Sequence, residues 1–324
     1  MFLVLPGRNA AKIILRNCGR RVFKHSSILE MAAMQRGNDT KENTSASTSA
    51  AATSSTAPSY EDEIRKFLAS ESNSRASASS SSCLLEQFHI QGWRWHTKSL
   101  VRDAGRLHRL ALKSNVNNAE TLKDASDYVI GFNLSGLHKI EVPLFFPWMR
   151  EKLTTCNSKV LPATTNQKQE LQLSAAFSSA MNALEKDRRT VAQLGDNISE
   201  NVILACDTKL PESRRANAIA EVAVRSAELK DCAQRMMSIE DTLLVPAIGV
   251  IVPEKEQKSF NNKVLLKLGI LDSRLHLVGM YEAVWEGNDS KEKELFQQAI
   301  PGISRQMIPR WKRKLYEPKT YMLE

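Results

Sequence analysis

The chain has 324 residues and a formal net charge of +9, and no stretch of it approaches the roughly 18 consecutive apolar residues that a membrane helix needs. Six positive charges precede the first acidic residue, Glu30, so only +3 remains for the rest of the chain. This distribution disfavours a nucleic-acid-binding protein. The five cysteines are scattered and form no Cys-x-x-Cys pair, which argues against a disulfide framework or a structural zinc knuckle.

The first 30 residues are basic, lack acidic residues before Glu30 and contain scattered apolar side chains. Basic residues recur every fourth position, at Arg8, Lys12, Arg16 and Arg20. A helix would gather them on one side, and this composition is typical of an organelle transit peptide. We expect residues 1–30 to direct import into the mitochondrion, with the plastid or the cytoplasm as alternatives. A start at Met31 or Met34 would remove this leader.

Residues 31–83 are rich in serine, alanine and threonine, with runs such as the one at 77–82. Such a segment cannot bury enough apolar surface to offset the entropy lost on ordering. We predict a disordered linker here, in which residues 60–68 alone have the composition of a short helix.

Beyond residue 87 glycine and proline are sparse, and apolar residues recur at intervals of three and four, which predicts helices. The predicted helices lie near 92–113, 119–152, 167–194, 211–249, 254–286 with a break at Gly269, 290–298 and 302–314. No strand-like alternation competes with this pattern. We predict an all-α fold, an up-down four-helix bundle with extra helices over residues 84–288, followed by a C-terminal helical extension over 289–324.

Ionisable side chains fall on the apolar stripes of three predicted helices. His96 lies on the first, His138 and Glu141 are neighbours on the second, and Glu240 lies on the third. A carboxylate among apolar side chains is costly unless it is paired or metal-bound. Two interpretations are open: hydrogen bonds within the core, or ligands of a metal ion.

The second and third of these helices share a local pattern. Glu141 and Glu240 each follow an isoleucine, with a leucine three residues later and a proline six residues later. The pattern predicts two equivalent halves of one bundle, with the two glutamates at the same depth. Because proline cannot donate to the preceding turn, we expect the second helix to kink or end just past Glu141.

The fourth long helix offers His276, which shares a face with Asp272. The two are four residues apart, so a hydrogen bond between them is one interpretation. Capping by Asp272 of a helix that restarts after Gly269 is a second interpretation, and a metal-ligand role for His276 is the third.

These motifs resemble the hemerythrin-like, or HHE cation-binding, family. The resemblance covers residues 88–286 and is carried by residues 92–97, 137–147 and 239–246. It implies iron or another divalent metal, in a mononuclear or dinuclear site, and a role in oxygen, redox or iron handling. The ligands that it implies are His96, His138, Glu141, Glu240 and His276.

The sequence departs from the family pattern on the third helix, where Met236 and Met237 stand near the position of an expected histidine. We therefore weigh a metal-binding bundle against a bundle whose metal site has decayed and whose surface binds a partner protein. A third hypothesis is contact with nucleic acid or an anionic membrane through the basic run 310–314. There is no glycine-rich phosphate loop or Gly-x-Ser-x-Gly motif, and we predict no enzymatic activity.

Overall fold

Every regular element in the described part of the chain is helical. The computed structural model describes residues 59–76, 87–154 and 167–324. The prediction of an all-α fold is confirmed. The predicted leader, residues 31–58 and 77–86, and the loop 155–166 lie outside the described residues.

Most of the helices beyond residue 87 begin and end close to the predicted positions. The α-helices are α1 (Tyr60–Ala76), α2 (Gln91–Lys113), α3 (Ala119–Ser126), α4 (Ser135–Ile140), α5 (Phe146–Thr154), α6 (Gln167–Cys206), α7 (Glu212–Ile239), α8 (Val245–Ile251), α9 (Glu254–Leu268), α10 (Ile270–Glu286), α11 (Ser290–Ala299), α12 (Gly302–Trp311) and α13 (Glu317–Thr320). Wider π-helical turns cover Asp127–Leu134, Glu141–Phe145, Glu240–Leu244 and Lys312–Tyr316, and a short 3-10 turn covers Tyr321–Leu323. The chain therefore runs from α3 to α5 and from α7 to α8 without leaving a helical path.

Helix α1 differs from the predicted linker because it packs against the bundle. Ile64, Phe67 and Leu68 are buried, and the Phe67 ring meets Phe177 of α6 edge to face, with 6.1 Å between the ring centroids. These three apolar residues lie on one face of a helix. Within a serine-rich region they give this segment enough apolar surface to dock.

Helix α6 is longer and more central than the extra helix predicted near 167–194. Its buried side chains recur along almost its whole length, at Phe177, Met181, Leu184, Val191, Ile198 and Val202. The turn after Cys206 reverses the chain, and α7 packs back along α6, where the Cys232 thiol reaches the Asp187 carbonyl. The four-helix arrangement stays a prediction, and α6 is a core element of the fold.

The predicted kink past Glu141 is a π-helical turn. The Phe146 N–H donates to the carbonyl of Glu141, five residues earlier, and Pro147 follows. The same arrangement recurs where the Val245 N–H donates to the carbonyl of Glu240 ahead of a proline. An inserted residue in an α-helix widens one turn and re-aims nearby side chains. The sequence similarity of the two segments thus extends to their backbone geometry.

The break predicted at Gly269 is also present. Gly269 separates α9 from α10 and has a φ of 80°, a left-handed conformation that glycine adopts without the strain of a Cβ atom.

None of the described helices is long and apolar enough to cross a membrane by itself. One pair of helices, Glu212–Ile251 and Glu254–Leu268, has sufficient length and apolar composition when taken together, and the pair is bent by 119°.

Candidate functional site

A buried ion pair lies at the centre of the bundle. Arg188, from the middle of α6, places its Nε 2.7 Å from Oε2 of Glu141, and both side chains are almost completely buried. The indole N–H of Trp93 donates to the other oxygen of Glu141 at 2.8 Å. Burial raises the pKa of Glu141, while Arg188 and Trp93 oppose that rise. We assign the negative charge that balances Arg188 to Glu141.

Glu240 is the second carboxyl of this cluster and is also fully buried. Among the described residues neither of its oxygens has a partner of good hydrogen-bond geometry. Burial and the nearby carboxylates of Glu141 and Asp241 hold the pKa of Glu240 well above its ordinary value, and Thr97 and Arg188 only partly oppose this. The raised pKa favours the protonated, neutral form of Glu240. The cluster Glu141–Arg188–Glu240 then has no net charge, which suits its apolar surroundings.

Two histidines form a second buried group beside this cluster. The rings of His96 and His276 are 4.5 Å apart between centroids, and Phe132 stacks on His276 at 4.1 Å. Nε2 of His96 lies 3.2 Å from the Asn133 carbonyl oxygen, so we assign the ring proton to that nitrogen. Burial lowers the pKa of His96 to about 4 and that of His276 well below its ordinary value. Both rings are therefore neutral at pH 7.

His138 lies at the edge of the site and is only half-buried. Burial and the charge of Arg188 lower its pKa to about 4. The same guanidinium lowers the pKa of His96. Arg188 thus influences the pKa of all four inward residues, His96, His138, Glu141 and Glu240, and it forms its ion pair with Glu141.

A polar chain leads from the histidines towards the C-terminal segment. The Asn133 amide donates to Asp103 at 2.8 Å, and Arg102 pairs with Asp103 at 2.7 Å. Arg102 also donates to the Tyr316 hydroxyl. Asp103 and Tyr316 are buried, so this chain ties α2 to the π-helical turn after α12. Buried polar groups that bond to one another across helices favour one arrangement of those helices.

The described residues do not bring the five predicted ligands together as one ion-binding group. Within residues 59–76, 87–154 and 167–324, no three His, Cys, Asp or Glu side chains lie close enough together to coordinate one ion. Arg188 meets one oxygen of Glu141, and Nε2 of His96 faces a carbonyl oxygen. His276 packs against Gly136, and the described residues show no hydrogen bond or ion pair between Asp272 and His276. Glu240 and His138, the other two predicted ligands, likewise belong to no group of three potential ligands among the described residues.

The residue that organises this site is the one that sequence reasoning missed. Arg188 falls on the buried stripe of α6 between Leu184 and Val191, at the spacing of four and three that its apolar neighbours follow. An arginine on an apolar stripe is as informative as a glutamate there, because a buried charge requires a partner. This buried arginine lies in α6, which the sequence predicted only as an extra helix of the bundle.

Comparison of the chain with protein-family models, with curated proteins and with solved structures finds no match. The resemblance to hemerythrin-like proteins therefore stays a prediction from the residues quoted above.

The contact between His276 and Gly136 predicts a specific sensitivity. A Cβ atom at Gly136 would lie closer to the imidazole ring than real Cβ contacts do, so we expect Gly136→Ala to lower the free energy of unfolding by about 1–3 kcal/mol. Gly131 is a matched control in the preceding turn, because nothing lies within 4 Å of its Cβ position. Urea unfolding of both variants measures the difference. Equal effects of the two substitutions would contradict the tight packing of His276.

Proposed function

We propose that this chain is a structural helical bundle that acts by presenting its surface to a partner protein, with an internal arginine in the place of a metal ion. The observation that carries the proposal is the pairing of Arg188 with Glu141 at 2.7 Å, beside Glu240, whose raised pKa favours its neutral form. A guanidinium supplies one positive charge and several donors in a fixed planar arrangement. It can therefore neutralise an inward carboxylate without a bound cation.

The wider network supports a scaffold role. Arg188 on α6 links to Glu141 at the end of α4, and Trp93 on α2 donates to the same carboxylate. Glu240 begins the π-helical turn after α7, and the charges of Glu141 and Arg188 both influence its pKa. Four helical segments thus meet at one polar cluster. Such clusters favour one register of helices over its alternatives, which is what a surface for recognition requires.

Metal analysis of the purified full-length chain tests this proposal. We expect iron, zinc and manganese far below one ion per chain, and an unfolding midpoint that neither EDTA nor added Fe²⁺ or Zn²⁺ changes. A bound ion would stabilise the folded state by mass action, so a true site would shift that midpoint.

The variant Glu141→Gln separates the two functions that the sequence left open. The proposal predicts no change in metal content, together with a loss of stability, because the substitution leaves Arg188 buried without a counter-ion. Glu221→Gln, at an exposed position on α7, is the matched control. A parent chain that retains close to one ion, which Glu141→Gln loses and Glu221→Gln keeps, would overturn the proposal in favour of a metal-binding bundle.

A further inference from the structure

The corner between α9 and α10 carries the two most exposed large apolar side chains of the described residues. Leu266 is 83% exposed and Leu271 is 68% exposed, and the left-handed Gly269 lies between them. Single exposed leucines are common on protein surfaces. Two that flank the same helix break, one on the last turn of α9 and one on the first turn of α10, form an exposed apolar tip.

Positive charges surround this tip. Lys263 and Lys267 are exposed on the last turns of α9. On α10, Arg274 lies one turn after Leu271, and its guanidinium is 6.0 Å from the centre of the Trp311 ring. This contact places the end of α12, and the turn that follows it, beside α10.

The basic run 310–314 therefore joins the corner. Arg310, Arg313 and Lys314 are exposed, whereas Lys312 pairs with Glu282 at 2.9 Å and belongs to the fold. The half-exposed Asp272 is the acidic residue beside the two leucines in sequence. Together the corner has a positive surface, an aromatic ring and two leucines that extend from it.

We propose that this corner, comprising Leu266, Lys267, Leu271, Arg274 and residues 310–314, docks on an anionic phospholipid bilayer surface. Apolar side chains that enter the boundary between headgroups and acyl chains, flanked by Lys and Arg, are the features of interfacial membrane binding. Basic residues near the surface add attraction to anionic headgroups, and tryptophan is suited to the same layer. This inference is independent of how the buried glutamates are used.

The leucines distinguish a bilayer from a nucleic acid as the occupant. Nucleic-acid backbones are recognised through phosphate contacts made by Lys, Arg and polar groups. Such contacts need no protruding aliphatic side chains. A bilayer uses both features of the corner, because the charges meet the headgroups while the leucines leave water.

Sedimentation of the full-length chain with lipid vesicles tests the proposal. We expect binding to phosphatidylcholine vesicles that contain about one-third phosphatidylserine, and much weaker binding to pure phosphatidylcholine. The double variant Leu266→Ser/Leu271→Ser should lower the affinity by about tenfold. Arg310→Ser/Lys314→Ser should lower it by about fivefold for each charge removed.

The matched control is Leu112→Ser/Ile203→Ser, since these side chains are 65% and 64% exposed elsewhere on the fold. It should bind like the parent chain. The basic leader is present in every variant, so differences among them report on the corner alone. Urea unfolding midpoints equal to that of the parent verify that the variants fold.

Three outcomes would overturn the proposal. The first is no preference for anionic vesicles. The second is an equal effect of the leucine pair and its control. The third is binding that a short DNA duplex abolishes and that the leucine substitutions leave unchanged, which would assign the basic residues to nucleic acid.

Discussion

Replacing Arg188 with methionine is expected to lower the free energy of unfolding by about 3–5 kcal/mol, because it leaves the carboxylate of Glu141 buried without a counter-ion. Methionine fills much of the space of the aliphatic stem, so the loss comes chiefly from the charge and little from a cavity. Trp93 would remain as the hydrogen-bond donor to Glu141, and one neutral donor does not replace an ion pair. Urea unfolding at neutral pH measures the change.

Arg189→Met is the natural control, since Arg189 follows directly on α6 and its side chain is exposed. We expect a change within about 0.5 kcal/mol for it. Combining Arg188→Met with Glu141→Gln removes both charges and should recover much of the lost stability. If Arg188→Met costs no more than Arg189→Met, the ion pair does not stabilise the bundle.

The second large effect concerns acid. His96 has a pKa of about 4 in the folded chain against 6.5 as its ordinary value. The stability that it contributes is present above pH 6.5 and is lost as the pH falls towards 4. For this fully buried ring the loss is roughly 3 kcal/mol. His276 and His138 have lowered pKa values too, so their contributions have the same sign.

The buried carboxyls have the opposite dependence on pH. The pKa of Glu240 is raised well above 4.5, and that of Glu141 is raised as well. Their stabilising contribution is present below pH 4.5 and is lost as the pH rises through the folded values. Three histidines outweigh two carboxyls between pH 4.5 and 6.5, so stability should rise with pH there. Above pH 6.5 the histidines no longer titrate. Deprotonation of the buried carboxyls is then the remaining effect, and it should lower the stability gently.

Unfolding midpoints in urea, measured from pH 4.5 to 9, check this dependence. Glu240→Gln resembles the protonated acid and should reduce the decline on the alkaline side, whereas Glu221→Gln at the exposed position should leave the profile unchanged. A midpoint that stays constant between pH 4.5 and 6.5 in the parent chain and in Glu240→Gln alike would contradict the lowered pKa values of the histidines.

Local sequence patterns predicted the secondary structure well. Periodicity placed α2 at 92–113 against Gln91–Lys113, and Gly269 marked the break between α9 and α10. These features depend on interactions within a few residues: the apolar stripe of one helix, and the backbone freedom of a single glycine. The shared pattern around Glu141 and Glu240 likewise indicated two similar turns, because each proline removes one backbone hydrogen-bond donor.

The inward orientation of the candidate residues was also contained in the sequence. His96, Glu141 and Glu240 lie on apolar stripes, and all three are buried. A stripe states which side of a helix faces the core. It does not state which residue of another helix will stand opposite.

Tertiary structure decided that second question. Arg188 reaches Glu141 across 47 positions of sequence because α6 packs inside the bundle in one particular register. Short stripes are similarly ambiguous: Ile64, Phe67 and Leu68 become a docked helix only because α6 offers Phe177 to them. The sequence of one helix determines its own pattern of apolar residues. Whether a metal ion or a guanidinium balances a buried carboxylate depends on the other helix that packs against it.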